Sequence, residues 1–136
     1  MKRYQIAFGL LILTQAAHSI EEYFGRLWEL FLPASFVTGL VSEDREFGFL
    51  ALNVALVTFG VWCYLFPVLR RWRSARGIAL GWAVVELING IGHPLWSLRQ
   101  GGYTPGLVTA PILLVLSLML FSQQRASRND ESAPVG

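Results

Sequence analysis

Five ionisable side chains lie in stretches of the chain that otherwise carry little charge. His18, Glu21 and Glu22 belong to the string His-Ser-Ile-Glu-Glu near the N-terminus, and Glu86 and His93 follow in the second half. An imidazole beside carboxylates can bind a divalent metal ion or exchange protons with a substrate. These five residues are therefore candidate catalytic residues for metal-assisted or acid-base chemistry.

Helical spacing would collect these groups into two polar stripes. At about 100° per residue, Glu21 and Glu22 fall about 60° to one side and about 40° to the other side of His18. Glu86 and His93 fall within about 60° of each other and of Asn89, which lies between them in the sequence. The spacing leaves open which of Glu21 and Glu22 faces the second stripe.

The surroundings of the two stripes indicate a membrane protein. Of the 136 residues, 54% are hydrophobic and 15% are charged. No Asp, Glu, Lys or Arg occurs in residues 4–20, 47–69 or 100–124, and Glu86 is the only such residue in 77–98. Runs of about 20 apolar residues can cross the ~30 Å hydrocarbon core of a bilayer. We therefore expect the lipid bilayer as a partner, and exclude a nucleic-acid binder, a disulfide scaffold and a soluble enzyme.

The predicted fold is all-α, a bundle of four transmembrane helices in one domain of residues 1–122. Between the first two helices, the short apolar segment 27–32 is typical of an interfacial helix that covers an outer site. The polar residues 123–136 lack the apolar area needed for packing, so we predict a disordered tail. The expected spans are about 4–24, 47–69, 77–98 and 104–122.

The distribution of basic residues predicts a multi-pass protein with both termini in the cytoplasm. With this topology the inner segments hold Lys2, Arg3, Arg70, Arg71, Arg73, Arg76, Arg125 and Arg128, and the outer segments only Arg26, Arg45 and Arg99. The N-terminal run also resembles a signal peptide. Because three more spans follow and the first run exceeds a typical signal core, we favour a retained helix.

The same topology places the polar residues of different spans at similar depth. With a rise of 1.5 Å per residue, His18 lies about 9 Å and His93 about 6 Å below the outer edge of the membrane. Asn53 in the second span also falls about 9 Å deep, and Thr109 lies one turn below Pro105, which we expect to open the fourth span. We therefore predict a polar chamber in the outer half of the bundle.

The residues of the two stripes also match a known family. The string from His18 to Glu22 resembles the namesake motif of the HXXEE-domain integral membrane proteins. The second motif of that family is matched at Asn89, His93, Tyr103, Thr104, Pro105, Gly106 and Thr109, with Thr104 in place of Ser. The resemblance implies a small multi-span membrane protein suspected of enzymatic activity through its His and Glu residues, and adds Tyr103 to the supporting residues Asn53, Asn89 and Thr109.

Two mechanisms fit these residues. In the first, zinc or iron is bound by His18, Glu22, Glu86 and His93, with Glu21 as the alternative to Glu22. In the second, no metal takes part. A buried carboxyl group protonates a small lipophilic molecule, a histidine takes up a proton, and Asn53 and Asn89 orient the reacting group.

Two other classes of function remain open from the sequence. Intramembrane Glu and His residues also occur in proton- or cation-coupled transporters, although the inner halves of spans two and four offer no ionisable group to continue such a path. A non-catalytic membrane assembly protein would use the same groups only to fix how its helices pack.

Overall fold

The structure, a computed structural model, describes the backbone of residues 2–132 and the side chains of residues 2–124. Every regular element in these ranges is helical and none is a strand, which confirms the all-α prediction. We number the helices in chain order. They are α1 (Arg3–Phe24), α2 (Leu27–Leu30), α3 (Leu32–Gly39), α4 (Arg45–Cys63, continued by one π-helical turn at Tyr64–Val68), α5 (Ala75–Gln100) and α6 (Ala110–Ser132).

Two helices are long and apolar enough to cross a membrane by length and composition. They are Arg45–Val68 and Ala75–Gln100, and they correspond to the predicted spans 47–69 and 77–98. Helix α1 coincides with the predicted span 4–24, but its polar residues lower its mean hydropathy. The apolar part of α6, Ala110–Gln124, is shorter than a full span.

The fourth long helix begins later than the sequence predicts. Helix α6 starts at Ala110 and not at residue 104, because Gly106 adopts a φ of 91°, outside the right-handed helical region. The hydroxyl of Thr104 forms a hydrogen bond with that of Ser97 in α5. Residues 101–109 therefore form a turn, called here the α5–α6 turn.

The C-terminal end of α6 also differs from the prediction. Its backbone remains helical to Ser132, although the sequence predicts a disordered tail from residue 123. No proline or glycine interrupts the chain between Pro111 and Pro134, so nothing local forces an earlier end. Residues 133–136 lie outside the described part of the chain.

The long helices enclose one large apolar cluster toward the end of the bundle that contains the α4–α5 connection. Helix α5 packs against α6, and α1 packs against both α4 and α6. Gly90 permits the close approach of α5 to α6, because a Cβ there would lie 2.8 Å from backbone atoms of Leu114. The buried members of this cluster are Ala7, Phe8, Leu11, Ile12, Cys63, Val68, Ala75, Ala79, Trp82, Ala83, Leu113, Leu116 and Leu120.

A smaller apolar cluster covers the opposite end of the bundle. The predicted interfacial segment 27–32 forms α2 and the start of α3, joined at Phe31. Trp28 packs on Phe49 of α4 with ring centroids 5.0 Å apart, and Phe31 packs on Trp96 of α5 at 4.8 Å. This cover and the larger cluster place apolar side chains on both sides of a polar layer.

Candidate functional site

Within the polar layer, two histidines from different helices converge on one carboxylate oxygen. Oε1 of Glu22 lies 3.3 Å from Nε2 of His18 and 3.2 Å from Nε2 of His93. The two imidazole rings meet edge to face, with centroids 4.7 Å apart. All three side chains are buried, so the predicted meeting of the α1 and α5 stripes exists at this point.

A backbone carbonyl fixes the protonation of His93. Its Nδ1 lies 2.7 Å from the carbonyl oxygen of Pro105 in the α5–α6 turn. A carbonyl oxygen can only accept a hydrogen bond, so Nδ1 must carry the hydrogen. In the neutral ring, Nε2 then presents its lone pair to Glu22.

A threonine fixes His18 in the same way. Oγ1 of Thr109 donates its single proton to Oε2 of Glu21 over 2.7 Å and lies 2.6 Å from Nδ1 of His18. Nδ1 of His18 must therefore donate to the threonine oxygen. Both histidines are thus held with Nδ1 protonated and with Nε2 directed toward Glu22.

Glu21 holds the α5–α6 turn against α1. Its carboxylate accepts hydrogen bonds from the backbone N–H groups of Val108 and Thr109, both at 3.0 Å, and from the hydroxyl of Tyr103 at 2.9 Å. Partial desolvation and the bond to this carboxylate raise the pKa of Tyr103 to about 12, so the phenol remains a donor at neutral pH. The turn that carries Pro105 is therefore fixed from α1.

Two of the separations among the three facing atoms match the spacing of metal ligands. Zinc bonds of about 2.0–2.1 Å place two tetrahedral ligands about 3.3–3.4 Å apart, close to the two distances from Glu22 Oε1. One ligand atom from each of His18, Glu22 and His93 lies within 4.8 Å of the other two. Nε2 of His18 is fully buried and has no hydrogen-bond partner among the described residues. An orphaned, desolvated imidazole nitrogen of this kind fits a metal ligand.

The comparison with family models assigns the chain to a family. The model for a protein of unknown function with HXXEE motif matches residues 9–120, which is most of the chain. The chain belongs to the HXXEE family. No curated protein and no solved structure matches it.

The histidine and the two glutamates of the HXXEE motif do not all face the same partners in this structure. His18 and Glu22 face His93, whereas Glu21 points to the α5–α6 turn. Helical spacing left open which of the two glutamates faces the α5 stripe. In the structure it is Glu22, which contacts both imidazoles, and not Glu21. The second family motif supplies His93 and the residues of the turn.

Glu86 does not lie with the other three residues that the sequence suggested as metal ligands. The described cluster of possible ligands contains only His18, Glu22 and His93. Glu86 precedes His93 by seven residues, which is about 10 Å along α5, and so lies one layer deeper in the bundle. This fully buried carboxylate accepts from the amide of Asn89 at 3.1 Å. With its amide nitrogen facing Glu86, Gln15 of α1 donates to both carboxylate oxygens, at 2.8 and 3.1 Å.

Asn53 also lies beside the histidine pair rather than within it. Its Oδ1 accepts from the hydroxyl of Ser19 over 2.6 Å, and its amide nitrogen donates to the carbonyl oxygen of Phe49. The amide oxygen of Gln15, in the same orientation, lies 3.2 Å from the Ser19 hydroxyl. Asn53 and Glu86 therefore belong to one chain of polar contacts that runs behind His18.

The family motif contains two residues of the site that the sequence did not predict as site residues, namely Pro105, which was expected to open the fourth span, and Gly106. Pro105 contributes its carbonyl oxygen to His93, and Gly106 leaves room for both rings. A Cβ on Gly106 would lie 2.5 Å from Nδ1 of His93 and 2.7 Å from Cε1 of His18. The signal for these residues was their place in the second motif, shortly before Thr109.

An apolar groove on the outside of the bundle reaches His93. It has a volume of about 400 Å³, and His93 and Asn89 form its polar part. Arg99 lies toward the C-terminal end of α5 along the same groove. The remaining lining residues are Phe31, Ile88, Gly92, Leu95 and Trp96.

Proposed function

We propose that this HXXEE-family protein is an integral membrane metalloenzyme that acts on a small lipophilic substrate. His18, His93 and Glu22 are its metal ligands. This set of two histidines and one carboxylate is used by catalytic zinc sites and by mononuclear iron(II) sites, both of which keep positions open for water or substrate. Zinc is the metal proposed, with iron(II) as the alternative.

The observation that carries the proposal is that Nδ1 of each imidazole faces an oxygen that accepts its hydrogen, which leaves both Nε2 atoms without one in the neutral rings. Pro105 and Thr109 accept from the Nδ1 atoms, so both Nε2 lone pairs approach a carboxylate oxygen that offers no hydrogen in return. Three electron-rich atoms at such distances repel one another unless a cation or added protons lie between them. Bound metal ions commonly have this arrangement, in which the outer nitrogen of each histidine is held by an oxygen.

A metal at this position would act as a Lewis acid toward an oxygen atom of the substrate or toward a bound water. The chain itself supplies the rest of the site. Thr109 and Pro105 orient the rings, and the apolar clusters on both sides exclude water. Asn89, which lines the groove, offers an amide that can orient a polar group of the substrate.

The surface of the long helices supports a four-span arrangement with both termini in the cytoplasm. Large apolar side chains are exposed on every long helix, including Leu13 of α1, Val54 of α4, Ile88 of α5 and Val115 of α6. Exposed apolar surface of this extent together with a polar interior is typical of a bundle in lipid. The excess of basic residues at one end supports the orientation.

The groove beside His93 supports a lipophilic substrate. Its lining is apolar except near His93, Asn89 and Arg99, and it opens between side chains that would face acyl chains. A molecule with one oxygen-bearing group can place that group at the histidines while its apolar part remains in the groove. This is the usual form of a small-molecule site, with few polar groups in an apolar cavity.

Metal analysis tests the proposal directly. We would purify the full chain in detergent, load it separately with zinc and iron(II), remove free metal and measure metal per chain by elemental mass spectrometry. We expect about one ion per wild-type chain, and loss of that ion in His93→Ala and in Glu22→Gln. Glu43→Gln is the matched control, because it removes an exposed carboxylate outside the polar layer and leaves the three ligands and the α5–α6 turn intact.

Two results would contradict the proposal. One is wild-type protein that binds neither metal stoichiometrically, which would favour metal-free acid-base chemistry. The other is equal metal content in wild type and in His93→Ala, which would place the ion elsewhere. A variant that loses metal is interpreted only if its thermal unfolding in metal-free buffer resembles that of the wild type.

A further inference from the structure

A second cavity lies at the end of the bundle remote from the cover helices. Its volume is about 330 Å³, and it is formed by the N-terminus, the α4–α5 connection and α6. It shares no lining residue with the groove beside His93. Its lining residues are Lys2, Tyr4, Arg71, Trp72, Arg73, Ala75, Arg76, Gln123 and Gln124.

Cationic side chains from separate segments converge on this cavity. Lys2 comes from the start of the chain, Arg71 and Arg73 from the α4–α5 connection, and Arg76 from the first turn of α5. No acidic side chain lines the cavity within the part of the chain whose side chains are described. The cavity therefore has a positive lining and fits an anion.

The connection that carries the arginines is held in a defined shape. Arg71 adopts a left-handed backbone conformation with a φ of 56°, and the N–H of Trp72 donates to the carbonyl oxygen of Pro67 over 2.9 Å. The amide of Gln124 donates to the carbonyl oxygen of Arg76 over 3.2 Å, which joins α6 to the same region. Hydrogen bonds thus hold the part of the cavity wall that the α4–α5 connection and α6 contribute.

The position of the cavity indicates which anion it takes. The two helices long enough to span a membrane meet here, since one ends at Val68 and the other begins at Ala75. Their shared end lies at the surface of the bilayer, where lipid phosphates are concentrated. Trp72, which lines the cavity, is of a type enriched at this depth. A guanidinium group matches a phosphate with two parallel hydrogen bonds.

We propose that this cavity binds the phosphate headgroup of an anionic membrane lipid. The lipid's acyl chains extend along the exposed apolar side chains of the bundle, while Lys2, Arg71 and Arg73 contact the headgroup. The site is independent of the histidine pair. The general tendency of basic residues to face the cytoplasm explains why this end of the bundle is positive. It does not explain why the basic side chains line one cavity.

Native mass spectrometry of the full chain in detergent micelles tests the proposal. Without a bilayer, the tendency of basic residues to face the cytoplasm does not contribute, and only lipid binding to the protein is measured. The probes are anionic phosphatidylglycerol and zwitterionic phosphatidylcholine, whose phosphate is neutralised by its own choline, each titrated into delipidated protein. Each basic residue near a lipid headgroup favours binding by ~1 kcal/mol, or about fivefold in affinity. We expect Arg71→Gln/Arg73→Gln to lower phosphatidylglycerol affinity on the order of 20-fold and to leave phosphatidylcholine binding unchanged.

Arg26→Gln/Arg45→Gln is the matched control, because it also removes two exposed arginines, and these lie at the end of the bundle with the cover helices and line neither cavity. An equal loss of phosphatidylglycerol in this control would overturn the proposal, since binding would then follow net charge alone. Equal affinity of the wild type for both lipids would also overturn it. Inorganic phosphate at millimolar concentration should not displace the lipid, and displacement would assign the cavity to a soluble phosphate. Unfolding temperatures in phosphatidylcholine confirm that both variants are folded.

Discussion

His93 of α5 donates its Nδ1 hydrogen to the carbonyl oxygen of Pro105 over 2.7 Å. The bond joins the two parts of the second family motif, which are separated by a stretch of helix and by a turn. It also fixes which nitrogen of His93 faces Glu22. The α5–α6 turn is therefore part of the site, and several predictions depend on its shape.

Gly106 should tolerate no side chain. Gly106→Ala would place a methyl group 2.5 Å from His93 Nδ1 and would force alanine into a backbone with a φ of 91°. We expect a loss of at least about 2 kcal/mol in the free energy of unfolding, together with weaker metal binding. Denaturant unfolding in detergent and metal titration measure the two effects. Gly102→Ala, where a Cβ meets open space, should change neither; equal behaviour of the two variants would contradict the prediction.

Thr109 should tune the metal site without binding the metal. Thr109→Val keeps the shape of the side chain and removes the hydroxyl that accepts from His18 and donates to Glu21. Loss of such an orienting partner typically weakens metal affinity about 10- to 100-fold. Competition with a chelator measures this change in Kd. Thr14→Val is the control, because the Thr14 hydroxyl makes an exposed hydrogen bond to the carbonyl oxygen of Leu10 within α1. A Kd for Thr109→Val equal to that of the control would refute the orienting role.

Glu86 should be dispensable for metal binding. Glu86→Gln preserves size but places an amide nitrogen near the donors of Gln15 and Asn89, which costs about 1–3 kcal/mol of folding stability if the network cannot reorient. Metal stoichiometry should remain that of the wild type. Parallel elemental analysis of Glu86→Gln and Glu22→Gln checks this. Loss of metal from both variants would return Glu86 to the ligand set that the sequence suggested.

Tyr103 should give the folded protein a pH-dependent stability at alkaline pH. Its pKa is raised to about 12 in the folded state, against about 10 for an unperturbed tyrosine. A raised pKa means that the folded state retains the proton while the unfolded state releases it. The stabilisation is therefore complete below about pH 10 and is lost as the pH rises toward 12.

Tyr103→Phe provides the comparison for this pH dependence. Over the interval from pH 10 to 12, the unfolding temperature of wild type should fall more steeply than that of Tyr103→Phe. Near pH 7 the variant should be less stable by up to about 1 kcal/mol, because it loses the hydrogen bond to Glu21. Parallel curves for the two proteins across the alkaline interval would show that the bond to Glu21 does not set the titration.

Much of the site follows from helical geometry. The 3.6-residue repeat predicts that His18 and Glu22 share a face of α1, and span depth predicts that His93 meets them from α5. The charge-free runs likewise predict α1, α4 and α5 to within a few residues of their ends. These properties depend on local periodicity, which can be calculated from the chain, and on the ~30 Å thickness of the bilayer core, which is the same for any chain.

The α5–α6 turn could not be derived in the same way. The sequence places Pro105 at a helix start, whereas Gly106 turns the backbone left-handed and delays α6 to Ala110. Glu21 then finds its partners in this turn, more than 80 residues away. Such contacts depend on tertiary packing, so helical angles alone cannot decide between Glu21 and Glu22 or exclude Glu86 from the histidine pair.

X-ray absorption at the zinc edge of the zinc-loaded, full-length protein tests the metal centre most directly. We expect a first shell of nitrogen and oxygen at about 2.0–2.1 Å, with outer-shell scattering from two imidazole rings. In His93→Ala, one of the two ring signals should disappear or the metal should be lost. A wild-type spectrum with no imidazole scattering, or one identical to that of His93→Ala, would show that His18, Glu22 and His93 do not hold a metal together.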